Sequence, residues 1–358
     1  MNNAKTKIQT LSLKKWGENK GIGTIALHTG AGKTKVGVDA AGKMFDNNNI
    51  KSCLILVPST NLRDNEWINE FKKWGYEQWL PHITIECVQT AYKWKDVHYD
   101  LIILDEIHAY LSPEFRSVFN FSYKYLLGLT ATPPKKSEDL QKKEYWEIYN
   151  RECPTVYKLS IQDGVKLGTA SAYKIYNLAV PLTKKENQKY RLWDKKFRDS
   201  SATLSRWKST MKLSESIFEL ATQLSKEKGH ALQNSSQQFW MAMSKRKQIC
   251  YTSTNKLEYT KMILEKFPDK NTLVFGKSTD MVDELYEWAE EKGIKSAKYH
   301  SKMKAKERSL HLQRASEDST SLVISAEALE QGYNLPKLNL GISMASVSTE
   351  RRFQQSLG

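Results

Sequence analysis

The sequence predicts an α/β protein of two domains, each a mainly parallel sheet flanked by helices, with a helical elaboration in the second. Three observations carry that expectation. Short apolar runs alternate with helical stretches through the first third of the chain, as parallel strands joined by crossovers require. Long helical segments dense in Lys and Arg follow, from Lys184 to about Phe267. Strand-like runs then return and continue to Met344. At 358 residues, 40% of them hydrophobic, the chain is long enough for two domains with cores of their own.

Taken in order, the candidate strands of the first domain are Ile22–Leu27, Cys53–Val57, Ile83–Val88, Leu101–Leu104 and Tyr125–Leu129. Pro58, Pro81 and the pair Pro133-Pro134 punctuate them. Between the first two strands, Val36, Ala40 and Met44 mark one helical face. A polar, charged stretch runs from Lys135 to about Arg151, which sets the first domain at residues 1–150. Residues 151–183 form a linker and the start of the second domain, where Tyr173–Val180 reads as a strand. Residues 184–268 form the basic helical elaboration. Residues 269–358 complete the second domain with strands at Thr272–Phe275, Lys298–His300, Ser321–Ser325 and Leu338–Met344. Met281, Leu285 and Trp288 lie on one face of a helix among them. No repeat of fixed period is present, and the only low-complexity stretch is Asn47-Asn48-Asn49.

Composition excludes several classes. No apolar run approaches the roughly 20 residues that a membrane-spanning helix needs, so no membrane partner is expected. The start, Met1-Asn2-Asn3-Ala4-Lys5, has no apolar export signal. Cys53, Cys87, Cys153 and Cys250 lie far apart, which argues against a zinc site or a disulfide framework and for a reducing cytoplasm. The net charge of +15 draws polyanions without regard to their sequence, although a lysine-rich solubility coat would give the same number.

Two stretches carry chemistry. Gly30-Ala31-Gly32-Lys33-Thr34 follows the apolar run Ile22–Leu27 and precedes a helical pattern, the strand–turn–helix setting of a phosphate loop. There, backbone N–H groups wrap phosphates, the Lys33 ammonium reaches the β and γ oxygens, and the Thr34 hydroxyl coordinates Mg²⁺. Asp105 and Glu106 close the run Leu101-Ile102-Ile103-Leu104. At the carboxyl end of a parallel strand, Asp105 can hold the Mg²⁺ through water and Glu106 can orient the attacking water. A Gly-rich turn and a solvated acidic turn are the plain alternatives, and neither explains both stretches in this order. The expected ligands are ATP and Mg²⁺. The second domain has no phosphate loop of its own, so the two domains are expected to share one nucleotide.

With these residues in view the chain resembles the superfamily 2 helicases and translocases of the DExH type. It is most similar to the branch of UvsW-like phage helicases, XPB-like proteins and restriction-enzyme translocase subunits. Thr29-Gly30-Ala31-Gly32-Lys33-Thr34 resembles motif I, with Leu27 where the strict pattern has a small residue. Val57-Pro58-Ser59 with Trp67 and Phe71 resembles motif Ia, and Gln89-Thr90 sits where motif Ib is expected. Asp105-Glu106-Ile107-His108 resembles motif II, Thr130-Ala131-Thr132 motif III, and Leu273-Val274-Phe275 motif IV. Ser325 through Gln331-Gly332-Tyr333-Asn334-Leu335-Pro336 resembles motif V, with Asn334 where Asp is usual. Arg352-Phe353-Gln354-Gln355-Ser356-Leu357-Gly358 resembles the opening of motif VI.

The resemblance implies two RecA-like domains and an ATP-dependent helicase or translocase acting on DNA, single-stranded or branched, in the cytoplasm of a cell or of a phage's host. It implies catalytic roles for Lys33, Asp105, Glu106 and Gln355, and nucleotide contacts from Thr29 through Thr34 and from Gly332. Coupling roles fall to His108, Thr130 and Thr132. Phosphate contacts fall to Ser59, Thr90 and Ser325, each of which could equally be an ordinary loop hydroxyl. Lys184, Lys185, Lys195, Lys196, Arg198, Arg206 and Lys208, interleaved with Tyr190, Trp193 and Trp207, could line a strand-binding channel. A solvated helix face with inward aromatics fits them as well, and Lys245-Arg246-Lys247 is similar. In the resembled family motif VI continues into arginines that reach the γ-phosphate, and Arg351 and Arg352 precede those positions. The expectation is therefore that these 358 residues bind Mg-ATP and hydrolyse it slowly. Two other readings remain: a double-strand translocase subunit serving a nuclease partner, and a nucleotide-gated DNA clamp with weak ATPase.

Overall fold

The computed structural model describes residues 3–60, 62–136, 140–317, 319–326 and 338–344. The chain divides between Ile175 and Tyr176 into two compact units. In the first unit six strands form one sheet: β1 (Ile22–Leu27), β2 (Cys53–Val57), β3 (Ile83–Cys87), β4 (His98–Asp105), β5 (Ser122–Thr130) and β6 (Thr155–Leu159). Their spatial order is β3-β2-β4-β5-β1-β6, and every pairing is parallel.

Both faces of this sheet are covered, which is why its strands read as unbroken apolar runs. Side chains alternate between the faces. Ile55, Val57, Leu101, Ile103, Leu127 and Leu129 pack on one side with Val36 and Phe45 of the helix Lys33–Asp46 and Trp67 and Phe71 of the helix Trp67–Lys73. Leu54, Leu56, Ile102, Leu104 and Leu126 face the other way, onto Tyr110, Val118, Ile148 and Tyr149. The order of the strands positions the site. β1, β5 and β4 are neighbours, so the loops leaving their carboxyl ends emerge side by side. The register pairs Ala26 with Thr130 and Leu129 with Asp105.

Three expectations are corrected here. The first unit does not end at residue 150: β6 pairs with β1, and Thr24 donates its hydroxyl to the Cys153 carbonyl at 2.7 Å. As an edge strand β6 is only partly buried, so its five residues gave too short an apolar signal. Tyr173–Val180 alternates like a strand but has no regular structure. Tyr176 and Leu178 are 78% and 61% exposed, and no neighbouring strand pairs with the segment among the described residues. The stretch 184–268 divides: the helix Thr254–Lys266 buries Leu257 and Leu264 in the core of the second sheet, whereas the preceding helices form a cluster of their own.

The second unit carries a parallel sheet of β7 (Thr272–Phe275), β8 (Ser296–Tyr299), β9 (Leu322–Ser325) and β10 (Leu340–Ser343), in the order β10-β7-β9-β8. Val274 and Ile324 pack against Met281, Val282 and Leu285 of the helix Thr279–Glu291, while Leu273, Val323 and Ala297 face the opposite side. The separate helical cluster consists of Lys184–Thr210, Ile217–Leu224 and Gln233–Tyr251, closed around Leu204, Leu220, Leu224 and Phe239. The first two of these helices start in capping boxes, Thr183 with Glu186 and Ser216 with Glu219.

Gly37 sets how closely the helix Lys33–Asp46 approaches Trp67. A Cβ there would stand 2.5 Å from the indole Cη2 and 3.1 Å from a Leu129 methyl, and both partners are fully buried. Alanine ordinarily gains about 1 kcal/mol over glycine inside a helix. Overpacking costs about 1–3 kcal/mol and outweighs that gain. Gly37→Ala is therefore expected to lower the urea midpoint, and an unchanged or raised midpoint would show that the Trp67 ring is not locked.

Candidate active site

The phosphate loop takes its shape from two glycines. Gly30 and Gly32 have φ of 80° and 85°, the left-handed region that side-chain-bearing residues avoid. Gly32 serves as the N-cap of the helix Lys33–Asp46, and no side chain caps that terminus. The first backbone N–H groups of the helix thus point out of its amino end, the arrangement that suits phosphate oxygens. Around Gly30 there is open space where a Cβ would stand.

Across from the loop, Asp105 and Glu106 end β4, 6% and 8% exposed. Lys33 Nζ lies 3.8 Å from Glu106 Oε1. The Trp67 indole N–H donates to Asp105 Oδ2 at 3.2 Å. Thr130, fully buried at the end of β5, donates its hydroxyl to Glu106 Oε2 at 3.2 Å. It also lies 3.0 Å from His108 Nδ1, which is itself 3.3 Å from Glu106 Oε2. The Thr132 backbone N–H donates to the Thr130 hydroxyl at 3.1 Å, and the Thr132 hydroxyl is buried without a partner. Glu106 itself has φ of 51°, an uncommon backbone state for a residue with a side chain. Burial and the Glu106 charge beside it push the Asp105 carboxyl up to about 7, against the pull of Lys33 and the Trp67 N–H. A buried pair of carboxylates opposite one lysine leaves negative charge that a divalent cation would offset. The Thr34 hydroxyl and the Asp105 carboxylate are the hard oxygen donors that Mg²⁺ prefers.

Thr29, Gly30, Ala31, Gly32, Lys33, Thr34, Asp105, Glu106, His108, Thr130 and Thr132 thus all lie at or just beyond the carboxyl ends of β1, β4 and β5. Ser59 and Thr90 follow the adjacent strands β2 and β3, and the Gln89 amide donates to the Pro58 carbonyl at 3.1 Å between them. The Ser59 hydroxyl is buried without a partner among the described residues, and Thr90 is exposed. Ser325 ends β9 in the second unit and is buried. Gly332 and Gln355 lie outside the described residues, as do the rest of motifs V and VI.

Sequence reasoning missed the brace behind the loop. The helix Asn3–Glu18 donates from Lys5 Nζ to the Gly30 carbonyl and from the Gln9 amide to the Ala31 carbonyl, each at 3.0 Å. Its buried Trp16 N–H donates to the Leu126 carbonyl at 3.0 Å. Lys5, Gln9, Ser12 and Trp16 follow helical spacing, but mostly polar residues on the buried face hide that stripe from a search for apolar periodicity. A Cβ on Gly32 would collide with the Gln9 amide, so the glycine also serves this close approach. On the opposite side His28 donates from Nδ1 to the Thr29 carbonyl at 2.7 Å and places Nε2 3.2 Å from the Thr169 hydroxyl. Burial holds its pKa below the usual histidine range, although the Thr29 carbonyl favours the charged form and Lys33 and Lys5 oppose it.

The aromatic residues of the basic helices divide. Trp207 packs in the helical core, and Tyr190 is engaged by Arg246, whose guanidinium also pairs with Asp194 at 3.1 Å. Trp193 lies under the Lys196 ammonium at 4.4 Å. Lys184, Lys185, Arg191, Lys195, Arg198 and Arg206 are exposed.

Residues 2–135 match the family of the type III restriction enzyme res subunit, and residues 255–358 match the helicase conserved C-terminal domain. The chain is 28% identical over 364 residues to the DNA 3'-5' translocase XPB2 of Sulfurisphaera tokodaii, an alignment covering 98% of this chain and 76% of that one. It is 27% identical over 285 residues to the DNA 3'-5' helicase XPB of Mycobacterium tuberculosis, covering 74% of this chain and 42% of that one. Among solved structures, the Pyrococcus furiosus Hef helicase domain aligns with all of this chain and 94% of its own. Its TM-score is 0.55 at 14% identity, a likeness of fold.

The raised Asp105 pKa makes a stability prediction. The fold favours the neutral carboxyl, so its stabilising contribution is full below 3.8 and is lost as pH rises through about 7. Asp105→Asn removes that loss. In ligand-free protein its melting temperature is expected to match the parent near pH 4, to exceed it increasingly up to about pH 7, and to keep a constant excess above that. Melts that differ by a constant amount from pH 4 to about pH 7 would refute the assignment.

Proposed function

The chain belongs to superfamily 2 of the helicases and is an ATP-dependent DNA helicase or translocase, and on that premise we propose a DExH-type motor whose hydrolytic site is the cluster around Lys33, Asp105 and Glu106. The observation that carries this reading is the convergence of three neighbouring strand ends, with Lys33 Nζ 3.8 Å from Glu106 and Thr130 bonded to the same carboxylate. The loop amides and Lys33 bind the triphosphate, with Thr29 through Thr34 forming the cradle. Thr34 and Asp105 would hold Mg²⁺, which when bound offsets phosphate charge and orients the β and γ groups. Glu106 accepts a proton from the attacking water and aligns it. Thr130 and His108, both on Glu106, are placed to report the state of that carboxylate to Thr132 and beyond. Gly332 and Gln355 complete the nucleotide contacts by resemblance.

The DNA contacts rest on two features. Ser59 and Thr90 follow adjacent strands and offer hydroxyls suited to phosphate oxygens, and Ser325 takes the same role in the second unit. Residues 184–251 hold fifteen basic against six acidic residues, a net +9 of the chain's +15. Exposed Lys184, Arg191, Lys195, Arg198 and Arg206 recur at helical spacing along one stripe of the helix Lys184–Thr210, which fits a phosphate backbone. We assign residues 1–175 to the first RecA-like domain and the remainder to the second, with residues 184–251 as its elaboration. The kinship with UvsW-like phage helicases and restriction translocases belongs to the same proposal. So does work in the cytoplasm, which the free cysteines Cys53, Cys87 and Cys153 suit.

ATP turnover measured with and without forked DNA tests the reading. Glu106→Gln is expected to keep ATP affinity and to lower turnover about 10²-fold or more, whereas Lys33→Ala weakens binding itself. Parental turnover by Glu106→Gln would remove the catalytic assignment.

DNA affinity should fall log-linearly with salt and depend little on sequence. Neutralising each phosphate contributes a slope of about −0.9 for duplex and −0.7 for single strands. Replacing Arg191, Lys195 and Arg198 together by Gln should flatten that slope by about two to three units in anisotropy titrations. A slope that does not move would place the DNA elsewhere.

A further inference from the structure

We propose that Glu186 is a positioning residue that ties the basic helical cluster to the carboxyl end of β10, so that DNA held on the cluster changes the chain where β10 ends. The inference rests on the DNA reading above and concerns how that binding is felt inside the second unit.

Glu186 is the third residue of the helix Lys184–Thr210, and its two carboxylate oxygens serve two different helices. Oε2 accepts from the Thr183 backbone N–H at 2.8 Å, while the Thr183 hydroxyl accepts from the Glu186 N–H, closing the capping box. Oε1 accepts from the Thr254 backbone N–H at 2.8 Å and from the Thr254 hydroxyl at 3.0 Å. Thr254 opens the helix Thr254–Lys266. That helix has Ser253 at its N-cap, but the serine makes no capping bond and its hydroxyl is buried without a partner among the described residues. The cap comes instead from a carboxylate 68 residues away. A second bridge runs beside it, from the Asn255 amide to the Pro181 carbonyl at 2.7 Å.

Two residues further on, at Lys256, the contact reaches the sheet. Lys256 Nζ donates to the Met344 carbonyl at 3.0 Å, and the Met344 N–H donates to the Phe275 carbonyl at 2.8 Å. Met344 directly follows β10, and the segment that resembles motif VI begins a few residues later in the sequence.

The helical cluster and the sheet have separate apolar cores. Such bodies can tilt against each other at little cost except where directional bonds hold them. Charge-assisted bonds to Glu186 are the strong ones at this joint. The start of the helix Thr254–Lys266 therefore follows the start of the helix Lys184–Thr210, and Lys256 carries that displacement to Met344. Coupling of this kind needs contacts with differential energy between two arrangements, and the shared cap supplies them.

Amide hydrogen exchange on the 358-residue chain, with and without a saturating fluorescein-labelled forked duplex, tests this. In the parent chain, DNA is expected to slow exchange about fivefold or more in the helix Lys184–Thr210, at 254–258 and at 340–344. In Glu186→Ala, the basic helix should still respond and the duplex affinity should stay within about threefold, while 254–258 and 340–344 no longer respond to DNA. Glu186→Gln, which keeps an oxygen for Thr254, should restore most of that response and guards against misreading a folding defect. A merely structural Glu186 would speed exchange equally in both states and leave the DNA-dependent difference intact, which overturns the proposal. A parent chain that binds DNA without responding at 254–258 and 340–344 overturns it too. A parent chain that binds no duplex at all defeats the DNA reading first, and this inference with it.

Discussion

Asp105 and Glu106 stand side by side at the end of β4, each almost wholly buried, beyond four consecutive aliphatic residues. Adjacent carboxylates removed from water repel each other and lose their hydration, so they persist only where the surroundings return that energy. Three neighbours of the pair answer this requirement: the Lys33 ammonium beside Glu106, the Trp67 indole N–H on Asp105, and the Thr130 hydroxyl on Glu106. Those three groups come from the phosphate loop, from the helix after β2 and from the end of β5. They can meet only if β4 lies between β2 and β5, with β1 beyond β5. The order of the sheet and the chemistry at its edge are thus one constraint seen twice.

The same pair explains the remaining strain in the site. Glu106 sits at positive φ, and the Asp105 carboxyl is held well above its ordinary range by burial and by its neighbour. The nearby Tyr110 hydroxyl is fully buried without a partner among the described residues. A fold optimised for stability alone would not keep a crowded acidic pair and an orphaned hydroxyl in its core. What the structure sets against them is Lys33 to the side, and on the proposed reading a phosphate-bound cation would add its charge in front.

Much of this was legible from the chain. β1 and β2 of the first sheet and β7 of the second read as apolar runs with their ends correct because both faces of each sheet are covered. The phosphate loop and the acidic pair were legible because their residue types have few other uses at those positions. What escaped notice obeys rules that local patterns do not carry. β6 is an edge strand with a weak apolar signal, and Tyr173–Val180 has the alternation of a strand without a pairing partner among the described residues. The brace formed by Lys5 and Gln9 acts on backbone carbonyls, so no complementary side chain in the sequence announces it. Arg246 looked like a member of a basic patch, yet it is committed to Asp194, Tyr190 and the face of Phe197.

The distribution of charge bears on how such a motor must be wired. Most of the excess positive charge lies on the helical cluster, whereas the candidate nucleotide site is built around carboxylates in the first unit. Exposed charges are screened beyond about 8–10 Å at physiological salt. If DNA binds the cluster as proposed, its lysines and arginines gather the polyanion, but their field carries little information about whether DNA is bound. That information has to travel through groups with fixed geometry. In the second unit the polar joint at Glu186, Thr254 and Lys256 is of that kind, because each bond is directional and the apolar cores on either side are distinct. On the proposed reading, the electrostatics that would capture the polyanion and the hydrogen bonds that would register it are separate devices, and a substitution can remove one while leaving the other in place.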